Sequence, residues 1–436
     1  MIQREFSVLD IELFRTSIGK IIDSEKKRFK DPINAEKVVE YDEKLREALK
    51  KYEDVRQKLN KLNPEIGKLI KSGEQNKAEE LKKQVKDLKK RQEEFEQKKK
   101  DFEKLRDEYR YIVGNILHES VPIAETEEGN GIERTVGKLP EFDFKPLNHV
   151  KLIETTGGAD TKKASEVVGS RFYYLKGDLA MLNLALLKFA LDILQDKGFM
   201  PMWTPFFIKH EVIKAAAELA DFEEQLYKIH DEDLYMIATS EQTIAAFHYD
   251  EIIDPERLPL KYAGVSSCFR REAGSHGKDT LGIFRVHQFE KIEQFIFSKP
   301  EESWELHEEL ISNAEEIYKQ LELPYRIVNI ASGELNDNAA KKYDLEAWFP
   351  ASETYRELVS CSNCLDYQGR KLKIRMGKVG TSEKKQIVHT LNSTAIATER
   401  TICCILENYQ NSDGSVSIPK VLQKYMNGKK IINAIK

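Results

Sequence analysis

Between residues 38 and 110 the apolar positions fall on a seven-residue beat. Leu45, Tyr52, Leu59 and Ile66 keep one register, and Ala48, Val55, Leu62 and Leu69 fill a second seam. After a break at Lys71-Ser72-Gly73 the beat resumes at Leu81, Leu88, Phe95, Phe102 and Tyr109, with a weaker second position. Such a repeat predicts helices whose apolar stripes face each other, and so short a break predicts an antiparallel hairpin. At 1.5 Å of rise per residue, roughly 32 residues per helix make an arm about 50 Å long. Gly67 and Gly73 stand out as breakers, and Pro64 predicts a kink or a lifted turn in the first helix. A coiled coil that dimerises would carry the same periodicity. Residues 1–35 form a mixed preface that ends on the turn signal Asp31-Pro32.

From about residue 115 the pattern changes to that of a compact α/β domain. Met181 to Lys197 predicts an apolar helix ended by Gly198, Ser303 to Leu321 a helix capped by Ser303, and Thr398 to Tyr409 a buried helix. The runs 202–208, 260–269, 283–298 and 325–330 read as strands. Strands outnumber crossover helices, which favours a mostly antiparallel sheet flanked by helices over a doubly wound one. The fold class expected is therefore α+β, with an N-terminal unit at 1–115 carrying the coiled-coil hairpin and a second domain at 116–436.

Composition sharpens this picture. At 436 residues, with 40% hydrophobic and 33% charged residues, the chain can bury a large core and still hold a long solvated segment. No stretch reaches the roughly 20 apolar residues of a membrane span, so no membrane partner is expected. The opening MIQREFSVLDIELF resembles neither a signal peptide nor a transit peptide, and five cysteines, two of them adjacent, do not form a disulfide framework. A cytoplasmic location is expected. The net charge of −5 hides an asymmetry: residues 36–110 hold 23 Lys and Arg against 19 Asp and Glu, and residues 68–100 hold 12 against 7. A basic arm on an otherwise acidic protein fits a nucleic-acid partner, although such a run is also simply a solvated face.

The chemistry concentrates in CFRREAGSHGKDTLGIFRVHQFEKIEQF, from Cys268 to Phe295. Two strand-like runs are separated by a loop rich in Gly, Ser, His and Lys. Arg270 and Glu272 alternate on the first run, and Arg285, Phe289 and Glu293 are spaced by four on the second, so the two strands are expected to hold all five on one face. Arginine's planar fork suits phosphate, a carboxylate suits an exocyclic amine, and a ring suits a base. A surface ion-pair ladder across a hairpin is the plainer alternative.

GFMPMWTPFF (198–207) and TAIATERTICCIL (394–406) flank this hairpin. In that order the three segments resemble motifs 1, 2 and 3 of the class II aminoacyl-tRNA synthetases: a helix end and strand closed by Pro205, the hairpin, and a helix opening on Glu399-Arg400. TSEQT (239–243), YRELVSCSNCLDYQGRK (355–371), LNSTAIATER (391–400) and ENYQ (407–410) narrow the resemblance to the seryl-tRNA synthetases, of the eukaryotic cytosolic type. The helical hairpin is a hallmark of that family as well.

The resemblance implies a homodimer, joined through the catalytic domain, that uses ATP, L-serine and tRNA(Ser), and admits tRNA(Sec). It implies that Arg270 holds the α-phosphate and the serine carboxylate, that Glu272 accepts from the adenine amino group, and that Phe289 stacks on adenine with Arg400 on its other face. Val286, Leu358 and Val359 would contact the nucleotide. Glu357 and Ser360 would hold Mg²⁺ with the phosphates, as hard oxygen ligands. Thr239, Glu241, Glu293, Asn392 and Thr394 would bind serine, Glu293 accepting from its hydroxyl. Arg270, Arg400 and Glu357 would carry catalysis by positioning and charge neutralisation.

Three departures bear on the expectation. Ala395 and Ala397 stand where motif 3 usually has glycines. Leu281 stands where bacterial-type relatives carry a loop arginine, leaving His276 or Lys278 to contact ATP or the tRNA end. Cys361 and Cys364 form a CxxC with no second pair, which points to a structural turn and no zinc. Cys403 and Cys404 are expected in the core, and His248, His287 and His389 receive no role. Two rival readings are a ligase acting on a carrier protein and a catalytically dead RNA-binding paralogue; intact Arg270, Glu272, Glu293, Glu357 and Arg400 oppose the second.

Overall fold

The computed structural model describes residues 9–216, 223–273, 281–381 and 383–435. They fall into two compact units, one of residues up to 26 with 30–113, the other of 27–29 with 114 onward.

In the first unit, short helices α1 (Ile11–Thr16) and α2 (Ile18–Lys27) precede long helices α3 (Ile33–Lys71) and α4 (Gln75–Ile112). Helices of 39 and 38 residues extend about 57 Å, longer than the heptads alone suggested, because α3 begins straight after the turn at Pro32. Val55, Leu59 and Val85 bury the seam, flanked by Leu62, Ile66, Leu88 and Phe95. Nearer the base, the rings of Tyr41 and Tyr109 stack at 5.6 Å. Helix α3 runs through both Pro64 and Gly67, so Gly67 is not the breaker the sequence suggested. Pro64 and Asn60 are both exposed, so the Asn60 carbonyl that proline leaves without a helix donor lies where solvent can reach it. Only Gly73, at φ +81°, makes the turn, a backbone region that costs glycine little. Buried Asp42 of α3 accepts from Arg15 of α1 at 2.9 Å and from Arg46 at 3.0 Å. Those charges outweigh burial and lower its carboxyl pKa.

The second unit is built on an eight-stranded sheet: β1 (Gly131–Val136), β2 (Met200–Trp203), β3 (Leu260–Phe269), β4 (Gln288–Ser298), β5 (Tyr325–Asn329), β6 (Lys341–Phe349), β7 (Thr354–Asn363) and β8 (His389–Ala397). Its order is β1-β5-β6-β7-β8-β4-β3-β2, antiparallel except for the parallel pair β2/β3. Helices α5 (Gly177–Asp196), α7 (Ser303–Gln320) and α8 (Thr398–Asn408) supply the core on one face, and the shorter α6 (Ser240–Ala245) packs on β3 and β4. Leu186, Phe189, Leu310, Ile317, Ile402 and Ile405 join Ile292, Ile296, Leu345 and Leu391 in that core. Each such burial stabilises by about 1.5–3 kcal/mol, so the helix-covered face holds the fold and the other is free to be polar.

Several expected boundaries move. The run 202–208 divides at Thr204-Pro205, and its second part, Phe207–Lys209, pairs with Leu234–Met236 instead of joining the main sheet. The run 283–298 is strand only from Gln288. Ser303 is the first residue of α7 and not its cap; its hydroxyl donates to the Pro300 carbonyl at 3.1 Å and meets His389 Nδ1 at 2.9 Å.

Candidate functional site: a polar cleft on the open sheet face

A cavity of about 220 Å³ opens on the polar side of the sheet. Period-two alternation brings Phe289, Lys291 and Glu293 of β4 into it. Two β-bulges bring in the rest. In β7, Val359 pairs with Leu345 but Glu357 pairs with Glu346, leaving Leu358 as an extra residue. Glu357 and Ser360, three apart, therefore both line the cleft. In β8, Thr394 pairs with Glu293 and Ile396 with Ile292, so Ala395 is extra and Thr394 and Ala397 both face the cleft.

Gly264, paired with Glu293, explains how α6 comes so close. A Cβ there would meet Ile244 at 2.3 Å and Ser240 Oγ at 2.7 Å. With glycine in place, α6 seats against the sheet and its Thr239 cap sets its hydroxyl 3.4 Å from Glu293 Oε2. Thr394 Oγ1 lies 3.5 Å from the same oxygen. Glu293 and Lys291 are buried and form an ion pair. Glu241 accepts from Gln368 at 2.9 Å and Asn392 at 3.1 Å. Burial and neighbouring Glu293 push the Glu241 carboxyl up to about 7, against the pull of Lys291 and Arg270.

At the other end, Arg400 Nη1 donates to the Glu357 carbonyl at 3.0 Å and lies 3.4 Å from its Oε2. Burial opposes the charge of Glu357, but Arg400, Lys342 and Arg270 together hold its carboxyl below the usual range. The Arg270 guanidinium sits 5.2 Å from the Phe289 ring centre, and its Nε donates to the Ala238 carbonyl at 3.3 Å.

The cleft thus gathers Thr239, Glu241, Arg270, Phe289, Glu293, Glu357, Leu358, Ser360, Asn392, Thr394 and Arg400. It does not gather Glu272, Val286 or Val359. Strand β3 stops at Phe269 and Glu272 adopts φ +50°, so strand alternation never applies to 270 and 272. Arg285 precedes β4, and its Nη1 donates to Glu272 at 3.0 Å. Val286 and Val359 are buried in the core. His276 and Lys278 lie outside the described residues.

Sequence reasoning missed Lys291, Lys342, Ser362 and Glu399, all of which line the cleft. Lys291 was legible, since it stands two residues from both Phe289 and Glu293 on one strand. Lys342 and Ser362 are register partners across β6 and β7, a pairing no local pattern announces. Glu399 is buried, and burial pushes its carboxyl up to about 7 despite Arg400. The histidines prove to be fasteners: His287 Nδ1 meets the Arg270 carbonyl at 2.8 Å, and His248 bridges Glu251 and the Tyr262 hydroxyl. Cys361, Cys364, Cys403 and Cys404 are buried and form no disulfide among the described residues.

Residues 8–117 match the seryl-tRNA synthetase N-terminal domain, and residues 225–409 match the class II tRNA synthetase core domain (G, H, P, S and T). The chain is 60% identical to the serine–tRNA ligase of Methanosphaera stadtmanae over 98% of its own length and 100% of that protein. It is 49% identical to the serine–tRNA ligase of Helianthus annuus, over 98% of this chain and 99% of the relative. The crystal structure of seryl-tRNA synthetase from Pyrococcus horikoshii complexed with ATP superposes with a TM-score of 0.94 at 45% identity, covering 98% of this chain and all of that one. By motif, cleft and whole-length similarity alike, the chain belongs to the seryl-tRNA synthetase family of class II aminoacyl-tRNA synthetases.

Proposed function

We propose that the protein activates L-serine with ATP and transfers it to the 3′ end of tRNA(Ser), with tRNA(Sec) as a second acceptor. The observation that carries this reading is the convergence of a guanidinium, an aromatic ring and a buried carboxylate, Arg270, Phe289 and Glu293, in one cleft. Adenine would lie on Phe289 with Arg400 toward its other face, and the serine side chain would point down to Glu293. Glu272, turned toward Arg285, would take the adenine amino group only if nucleotide draws it away from that partner. Val286, Leu358 and Val359 would contribute backbone contacts, which their buried side chains leave possible.

The donor set at Glu357, Ser360 and nearby Asp344 is all oxygen, which fits Mg²⁺. Among the described residues no three His, Cys, Asp or Glu side chains converge into a metal site, so a cation held here would share its ligation with ATP phosphates. When bound, Mg²⁺ would neutralise phosphate charge. Arg270 would orient the serine carboxylate for in-line attack on the α-phosphorus and hold the phosphate as charge builds, and Arg400 would steady the departing pyrophosphate. No side chain is assigned as a dedicated acid or base; the terminal ribose hydroxyl of tRNA then takes the seryl group.

Residues 1–115 would form the tRNA-binding domain and 116–436 the catalytic domain. The arm's basic surface would meet the RNA through backbone and shape. Met181, Leu184, Met200 and Trp203, the last 75% exposed, place apolar surface along α5 and edge strand β2. That surface supports a homodimer formed through the catalytic domain. Among the described residues no helix is long and apolar enough to cross a membrane, and a cytoplasmic location fits the proposed reaction. Kinship with the eukaryotic cytosolic enzymes is supported by the plant relative and is not exclusive, since the archaeal relative is more similar.

Serine-dependent exchange of pyrophosphate into ATP tests the reading. In Glu293→Ala the preference for serine over alanine should fall by about 2 kcal/mol or more, the loss expected when a substrate hydroxyl has no acceptor. Because Lys291 loses its partner as well, the ratio of the two substrates is the quantity to read, not the rate. An unchanged ratio would falsify the role of Glu293.

Glu241 adds a pH signature. Its raised pKa of about 7 leaves the free protein's carboxyl protonated below that pH and charged above it. If the charged form receives the serine ammonium, kcat/KM for serine should fall about tenfold per pH unit below 7 and level off above it. Glu241→Gln should flatten that limb. A wild-type profile that is flat from pH 6 to 8 removes Glu241 from ammonium binding.

A further inference from the structure

Behind the cation end of the cleft stands a carboxylate that does not itself line it. Asp344 of β6 is 7% exposed. It is the register partner of Ser360, and Lys342, on the same face of β6, lines the cleft. As its register partner, Ser360 stands beside it on the same face of the sheet. Its Oδ1 has no hydrogen-bond partner, and the Lys342 ammonium, at 4.0 Å, is too far away to provide one. An unsatisfied carboxylate oxygen at this depth costs free energy unless something arrives to use it.

We propose that Asp344 is a positioning residue for the divalent cation: it accepts the Ser360 hydrogen, turning that hydroxyl's lone pairs toward the metal, and gives its free oxygen to the cation or to a water on it. The inference rests on Glu357 and Ser360 being the direct ligands. It follows from the chemistry of the three groups. A serine hydroxyl is a poor and freely rotating ligand until its hydrogen is taken, and Asp344 takes it. Mg²⁺ keeps several waters, and a buried acceptor next to the site suits one of them. The strand pairing fixes this arrangement, since Asp344 and Ser360 face each other across the β6/β7 ladder, just beyond the bulge that admits Glu357. Partners of metal ligands of this kind typically change metal affinity by about 10–100-fold when altered.

The test uses the full chain, Mn²⁺ as the cation and α,β-methylene ATP, which cannot form an adenylate. In Asp344→Asn the apparent Kd for Mn²⁺ in the presence of the analogue, read from the EPR signal of free Mn²⁺, should rise about 10–100-fold. Binding of the analogue without metal should be unchanged, which a general loss of structure would not allow. Glu357→Gln serves as the reference. If it weakens Mn²⁺ binding while Asp344→Asn does not, the role of Asp344 is overturned and the direct ligands stand. If neither variant matters, the cation reading itself is wrong. Should Asp344→Asn fail to fold, a crystal of the unaltered protein with Mn²⁺ and the analogue decides. An Asp344 oxygen about 2.2 Å from the metal, or about 2.8 Å from a water on it, supports the assignment, and one beyond about 4 Å from both refutes it.

Discussion

Excising residues 38–110 is expected to leave serine-dependent pyrophosphate exchange near its full rate while charging of tRNA(Ser) falls about a thousandfold, the equivalent of roughly 4 kcal/mol of lost binding. The seam of Val55, Leu59 and Val85 belongs to the arm alone, and every residue lining the cleft, from Thr239 to Arg400, belongs to the other unit. Adenylate chemistry therefore has no ligand to lose. What disappears is the basic surface proposed to meet polyanionic RNA, and with it the steep part of the salt dependence of charging. Measuring both reactions on the shortened protein, at two ionic strengths, separates the possibilities. A parallel loss of exchange and charging would mean that the arm sustains the catalytic unit and does not read tRNA.

Arg270→Ala should lower kcat for adenylate formation by about 100–1,000-fold, the loss found when one preorganised donor to developing charge is removed. Arg270 is held from two sides, by the Ala238 carbonyl at 3.3 Å and by the Phe289 ring at 5.2 Å. Its position thus precedes the substrate's arrival. Arg270→Lys keeps the charge but not the planar fork, and should recover only a small part of the rate. Single-turnover formation of seryl-adenylate is the measurement. Full recovery by lysine would show that charge alone matters, and an unimpaired alanine variant would place the phosphate elsewhere.

The arm was the most legible part of the molecule, because a heptad repeats its message over many turns and tolerates the local noise of Pro64 and Gly67. Strands β3 and β4 were legible from their apolar runs, and with them the cleft-facing set Phe289 and Glu293. Reading failed where the chain left regular structure. Glu272 and Arg285 lie past strand ends, where alternation has no force, so their shared face was an extrapolation that the left-handed turn at Glu272 cancels. Lys342, Ser362 and Asp344 were invisible for another reason: their importance comes from register across β6 and β7, which is settled by pairing over the whole sheet. The motif resemblance supplied Glu357, Ser360, Asn392 and Thr394, which periodicity would not have chosen.

Leu358 and Ala395 act as phase shifters in strands that otherwise keep a two-residue rhythm. Each lets a segment carry core residues and cleft residues in an order that simple alternation forbids. The consequence is that these two points are where the chain can lose a residue without exchanging its faces. Removing Leu358 would leave Glu357, Val359 and Ser360 opposite Glu346, Leu345 and Asp344 in plain alternation, with the cleft side and the oily side as they were. Inherited variation in length within these strands should therefore gather at these spots and spare the regular stretches.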